Sequence, residues 1–220
     1  MFTVCWSPKG GSGTSVIASA LALNMASAND ETLLVDTVGD LELVLGLPRN
    51  DTDGLSDWLQ APPDVAADAL SLLEVPVAER LQLLGAGNKT QAAISPGNPE
   101  RTVLAAELLS RSARSVVVDA GSRGVPKPWL ARDAHAVMII RACYLAIQAA
   151  LAEPLTSSTS VVLVEEPGRA LRLSDIKAVF GDHNVISVPW DPAVSRAVDA
   201  GLLVHRMPRS LSRLNELFNG

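Results

Sequence analysis

Short apolar runs recur along this chain that are continuous rather than alternating, and most are followed by a stretch with helical spacing. A strand with one wet face alternates apolar and polar residues, whereas a strand covered on both faces is apolar throughout. Val116-Val117-Val118 and Val137-Met138-Ile139-Ile140 are of the second kind. Such strands require helices on both sides, and hence a single α/β domain with a mostly parallel sheet. The expected strands are 2–6, 32–36, 81–85, 115–119, 136–141, 161–165 and 184–189, a sheet of about seven strands. The expected helices are 14–27, 55–60, 65–73, 99–111, 144–152, 173–180, 193–201 and 209–218. Ligands of parallel sheets bind outside the carboxyl ends of the strands. The loops after Trp6, Asp36, Asp119, Glu165 and Pro189 are therefore where function is sought.

With 220 residues, 48% of them hydrophobic and 19% charged, the chain can bury the core of one domain spanning 1–220. A net charge of −6 argues against a nucleic-acid partner, which calls for a basic balance. Cys5 and Cys143 lie too far apart in sequence for a disulfide framework or zinc cluster, and His135, His183 and His205 lack metal-ligand spacing. The first residues lack the basic start of an export signal. Segment 134–152 approaches the length of a membrane span, but Arg141 interrupts it where a charge is costly in lipid. A cytoplasmic address is expected. The Pro/Gly/Asp-rich stretches 48–54 and 96–99 read as surface loops.

Ser7-Pro8-Lys9-Gly10-Gly11-Ser12-Gly13-Thr14-Ser15 follows a strand and opens a helix, the context a phosphate-binding loop requires. Its glycines let backbone N–H groups converge on an anion at the positive end of the helix dipole. Ser15 stands where a hydroxyl ligates Mg²⁺. Lys9 is one of only four lysines beside fourteen arginines, so its place inside this loop is pointed.

This loop resembles the deviant Walker A motif of the ParA/MinD family of dimeric P-loop ATPases. The resemblance runs on through Leu33-Leu34-Val35-Asp36, the segment Asp40–Leu47, the Walker B-like Val116-Val117-Val118-Asp119, and Val188-Pro189-Trp190-Asp191. Its flavour is that of the CpaE/TadZ branch and the septum-site-determining proteins, which localise pilus-assembly or division machinery at a pole or septum. Several members carry an additional N-terminal receiver-like domain, which this chain is expected to lack. The resemblance implies ATP and Mg²⁺ as cofactors and a homodimer in which Lys9 reaches the partner's nucleotide. It implies phosphate contacts from Lys9, Gly10, Gly11, Ser12, Gly13, Thr14 and Ser15, and nucleoside contacts from Pro189 and Asp191. Mg²⁺ falls to Ser15, Asp36 and Asp119. Asp119 reads equally well as an acid capping the turn after its strand.

Three departures from the family pattern bear on catalysis. Thr14 stands where a lysine clasps the β- and γ-phosphates, a charge-assisted contact worth ~1.5–3 kcal/mol. Val38 replaces the acid that orients the attacking water, and Asp40 is two residues out of step. Val164-Glu165-Glu166 replaces an asparagine at the adenine edge. Together they predict hydrolysis that is slow or absent, with nucleotide binding weakened but retained. If the site is active, Lys9 and Asp36 are the candidate catalytic residues. A working ATPase and an interaction module without nucleotide are the competing readings.

The stripe Leu211, Leu214 and Leu217 in the last helix predicts docking on the sheet rather than membrane contact. Trp58 and Trp190 are expected as interface anchors, Trp6 and Cys5 as core. Asp64, Asp68 and Glu74 are read as a solvated helix face.

Overall fold

In the computed structural model, which describes residues 1–48, 51–88, 98–122, 125–130, 134–153 and 155–218, all the expected strands form and an eighth joins them. The strands are β1 (Phe2–Trp6), β2 (Thr32–Asp36), β3 (Glu74–Ala78), β4 (Leu81–Leu84), β5 (Ser115–Asp119), β6 (His135–Arg141), β7 (Thr159–Glu165) and β8 (Val185–Pro189). They form one sheet in the order β3-β4-β2-β5-β1-β6-β7-β8. All neighbours pair in parallel except β3, which runs antiparallel to β4 at the edge.

The helices are α1 (Thr14–Ser27), α2 (Leu41–Leu45), α3 (Leu55–Leu59), α4 (Pro99–Ser110), α5 (Tyr144–Leu151), α6 (Leu173–Phe180) and α7 (Pro192–Asp199). Strand alternation divides the core in two. Val4, Leu33, Val116, Met138 and Leu163 face α3, α4, α5 and α6, while Cys5, Leu34, Val117, Val137, Ile139 and Val162 face α1, α2 and α7. Both faces are covered, which is why these strands carry no polar alternation.

The eighth strand corrects the expected count. Glu74-Val75-Pro76-Val77-Ala78 contains a proline, which removes a ladder donor and confines such a run to an edge. The pairing shifts register between Pro76 and Ala78. Glu74 thus lies on a strand, not a helix face, and both its oxygens accept from the Arg114 guanidinium at 2.6 and 2.8 Å.

Two expected helices are 3₁₀ segments, Ala67–Leu73 and Arg209–Phe218. In the second, Leu211, Leu214 and Leu217 recur every three residues, the period that stacks side chains on one 3₁₀ face. All three are buried against the α1 side of the core, and Asn24 Nδ2 donates to the Leu211 carbonyl at 3.2 Å. Among the described residues no helix is long and apolar enough to cross a membrane.

Trp58 is not an exposed anchor. It is 3% exposed, and the Arg101 guanidinium sits 3.9 Å from its ring centroid. Arg101 Nε donates to the Trp58 carbonyl at 2.7 Å, and Nη1 to the carbonyls of Pro62 and Val65. Trp6 and Cys5 are core, and Trp190 is 42% exposed. Residues 96 and 97 of the expected loop 96–99, and residues 49 and 50 of loop 48–54, lie outside the described residues.

Candidate functional site

β1 lies between β5 and β6, so the glycine loop that follows it emerges at the middle of the sheet's carboxyl edge. Gly11 (φ +78°) and Gly13 (φ +90°) adopt left-handed backbone that a side chain disfavours. Ser7 and Ser12 hydroxyls both donate to the Lys9 carbonyl, at 2.5 and 2.8 Å, and close the turn. Backbone bonds from Ser7 N–H to the Gly121 carbonyl (2.8 Å) and from Ala120 N–H to the Cys5 carbonyl (2.8 Å) bind this loop to the end of β5. The Thr37 hydroxyl donates to the Asp119 carbonyl at 2.6 Å, which joins the end of β2 to the same junction.

A cavity of about 460 Å³ opens beside the loop, lined by Gly10, Gly11, Gly13, Thr14 and Ser15, by Val38 and Asp40 after β2, and by Gly121 and Ser122 after β5. Thr14 is buried in its wall and Lys9 is exposed outside it. Val38 turns onto Gly121: a Cβ on that glycine would stand 2.5 Å from Val38 Cγ2. Asp40, expected out of step, lines the cavity. Its carboxylate accepts no side-chain cap bond from α2.

Asp36 and Asp119 lie behind the loop. Asp36 accepts from the backbone N–H groups of Val38 (2.8 Å), Gly39 (2.7 Å) and Leu41 (2.9 Å), so it holds the β2–α2 turn. Burial raises its pKa, and those three bonds oppose the rise. Asp119 Oδ1 accepts from Gly121 N–H at 3.0 Å, while the buried Oδ2 has no partner at hydrogen-bond distance among the described residues. Burial pushes the Asp119 pKa up to about 7, the neighbouring Ser15 hydroxyl draws it down, and Asp36 raises it further. Ser15 and Asp119 are therefore neighbours behind the glycine loop. Asp119 also caps its own turn, so both readings of that residue have a geometric counterpart. Asp36 is occupied by the loop.

A second pocket, about 130 Å³, continues from the glycine loop. It is lined by Ser12 and Gly13, Val16 and Ile17 of α1, Arg141, Val164 and Val188 at the strand ends, and Pro189, Trp190 and Asp191. Pro189 and Asp191 thus join the loop in one continuous groove. Asp191 caps α7, accepting from Ala193 N–H and Ser210 Oγ, both at 2.8 Å, and these bonds lower its pKa. Strand alternation directs Glu165 to the opposite face from Val162 and Val164, and it does not line this pocket. Arg141, which sequence reasoning passed over, lines the pocket instead. Its parity with Val137 and Ile139 was the available signal.

No family model and no curated protein matches the sequence. Among solved structures, the chain is similar to a ParA family ATPase from Chlorobium tepidum (TM-score 0.76, 18% identity, covering 99% of this chain and 97% of that one). It is also similar to the MinD cell division protein of Aquifex aeolicus (TM-score 0.75, 16% identity, 100% and 98%). A third is the septum site-determining protein MinD of Pyrococcus horikoshii, complexed with Mg-ADP (TM-score 0.72, 15% identity, 98% and 93%). The chain has the fold of these proteins over nearly its whole length.

Proposed function

We propose, from the ParA/MinD fold and the cavity at its glycine loop, that this protein is a nucleotide-binding positioning protein that turns nucleotide over slowly or not at all. The observation that carries this reading is the pair Thr14 and Val38. A short hydroxyl stands in the cavity wall at the place of the phosphate-clasping lysine, and the side chain at the place of the water-orienting acid is packed on Gly121. What remains can still hold phosphate: the glycine backbone, the Ser15 hydroxyl and the start of α1.

The donor set fits Mg²⁺ at Ser15 and Asp119. The Asp119 Oδ2 is buried without a partner among the described residues, and a hard cation takes oxygen ligands. Bound there, the ion neutralises phosphate charge. Asp119 must give up its proton to serve it, and Asp36 keeps the β2–α2 turn in place. Lys9, exposed at the loop, is free to reach a second copy of the chain, so a homodimer is part of the proposal. The cargo proposed is pilus-assembly or division machinery at a pole or septum, by resemblance to the CpaE/TadZ and septum-site proteins. That a structure with the same fold is a MinC:MinD cell division protein complex supports a protein partner.

One observation favours a second reading, a working ATPase. Asp40 lines the cavity and can receive a proton from a water there. Calorimetric titration of ATP with Mg²⁺, run beside a sensitive phosphate-release assay, separates the readings. Binding with turnover at background supports the proposal. Turnover on the order of 1 s⁻¹ or faster overturns it in favour of the ATPase, and absence of binding at millimolar nucleotide leaves an interaction module.

A further inference from the structure

Resting on the nucleotide-site reading, we infer that Arg141 makes the base end of the groove select a 6-oxo purine, guanine or hypoxanthine, over adenine. Arg141 is the last residue of β6 and shares the side of Val137 and Ile139, the side on which α1 packs. It therefore faces the 130 Å³ pocket whose other walls are largely apolar, with the half-exposed Trp190 ring among them.

Two charged groups line this pocket, and they differ in what they have left to give. Asp191 already accepts from Ala193 N–H and Ser210 Oγ. Arg141 donates through Nη1 to Glu166 at 2.7 Å, and Glu166 is itself held by Arg169 Nε at 2.6 Å, which fixes the guanidinium. Its Nε–H is buried and meets no acceptor among the described residues. A guanidinium carries five N–H donors, and the bond from Nη1 to Glu166 uses one of them, so Arg141 keeps donors for an acceptor in the pocket.

A guanidinium can only donate. A 6-oxo purine offers two acceptors, N7 and O6, along one edge, whereas adenine offers N7 beside an amino donor. Adenine would set that amino group against the guanidinium, donor facing donor. A side-chain amide could satisfy both groups of adenine, but the pocket's lining contains none; its neutral polar side chains are the Ser12 and Ser195 hydroxyls. The donor pattern therefore favours the oxo base.

The test is calorimetric titration of the full chain with GDP, IDP and ADP in Mg²⁺, repeated with Arg141→Ala and Arg141→Gln. The wild type is expected to bind GDP and IDP about tenfold more tightly than ADP. IDP keeps N7 and O6 but lacks the guanine amino group, so equal binding of GDP and IDP assigns the preference to that edge. Arg141→Ala should abolish the difference. Arg141→Gln, whose amide both donates and accepts, should tilt it toward ADP, which keeps the inference testable if the alanine variant fails to fold. ADP binding as tightly as GDP to the wild type overturns the inference while leaving the nucleotide site intact. So does an equal loss for all three ligands in Arg141→Ala, since the guanidinium would then serve the phosphates. Absence of binding by any of the three removes the nucleotide site itself, and this inference with it.

Discussion

Asp36 and Asp119 end neighbouring strands as direct register partners, both about 1% exposed or less, and only Asp36 has its oxygens filled by backbone donors. The pair places two acids in a space that disfavours charge, so the less satisfied one holds its proton longer.

That asymmetry sets a pH dependence. The Asp119 carboxyl ionises near 3.8 in the unfolded chain and at about 7 when folded. Between these values the folded state binds more protons, so stability falls as pH rises from about 4 to 7 and the full cost persists above it. Asp119→Asn removes the ionisation, worth on the order of 4 kcal/mol at pH 8. Thermal unfolding at pH 8 should shift up by roughly 8–16 °C, with a much smaller shift at pH 4. Equal shifts at both pH values would show that Asp119 does not titrate in this range. Mg²⁺ without nucleotide should stabilise the wild type more at pH 8 than at pH 6, because the proton no longer competes.

At the cavity wall, Thr14→Lys should tighten ATP binding roughly ten- to a hundredfold, the worth of a charge-assisted bond to phosphate. Hydrolysis should stay at background until Val38→Asp is added. Turnover restored by Thr14→Lys alone would point to Asp40 as the acid already in use.

Gly46 follows α2 with φ +75°, and a Cβ there would stand 2.1 Å from the Gly201 carbonyl oxygen just past α7. Gly46→Ala combines a left-handed backbone with a backbone clash and should cost roughly 2–3 kcal/mol in urea unfolding. A loss under 0.5 kcal/mol would mean the α2–α7 contact can open without resistance.

Arg101 sits 5% exposed between α3 and α4. Arg101→Lys keeps a charge but cannot span three carbonyls and stack on Trp58, so it should destabilise by about 2–3 kcal/mol, comparable to Arg101→Met. Full rescue by lysine would assign the residue's role to charge alone.

The exposed Lys9 bears on assembly. Light scattering is expected to show a homodimer whose mass is unchanged by ATP. A monomer under both conditions rejects it. ATP-driven pairing that Lys9→Ala abolishes would instead assign Lys9 the role of nucleotide-dependent bridge.

Several features escaped the linear sequence for definable reasons. Pro76 disguised β3 because a proline is admissible there only if the strand is an edge, and edges are settled by the partner. In sequence Trp58 stands beside the acidic Asp51, Asp53 and Asp57, a setting that suggests exposure, whereas its burial depends on Arg101, forty-three residues away. Asp40 was placed out of step by counting along the loop. In space the Asp36 bonds to Val38, Gly39 and Leu41 fold that loop so that Asp40 reaches the cavity.

The sequence by itself determined the covered parallel sheet, the strand–glycine loop–helix unit and the presence of Thr14 at that loop and Val38 after the second strand. Each is a local pattern: continuous apolar runs report burial on both faces, and glycines report where the backbone must turn left-handed. Only the tertiary structure decided which strand closes the edge, that Val38 rests on Gly121, that the buried Asp119 Oδ2 has no hydrogen-bond partner among the described residues, and that Arg141 rather than Glu165 faces the groove. Those outcomes depend on the parity of strands meeting across the sheet and on helices arriving from distant parts of the chain, and neither is encoded within a short window of residues.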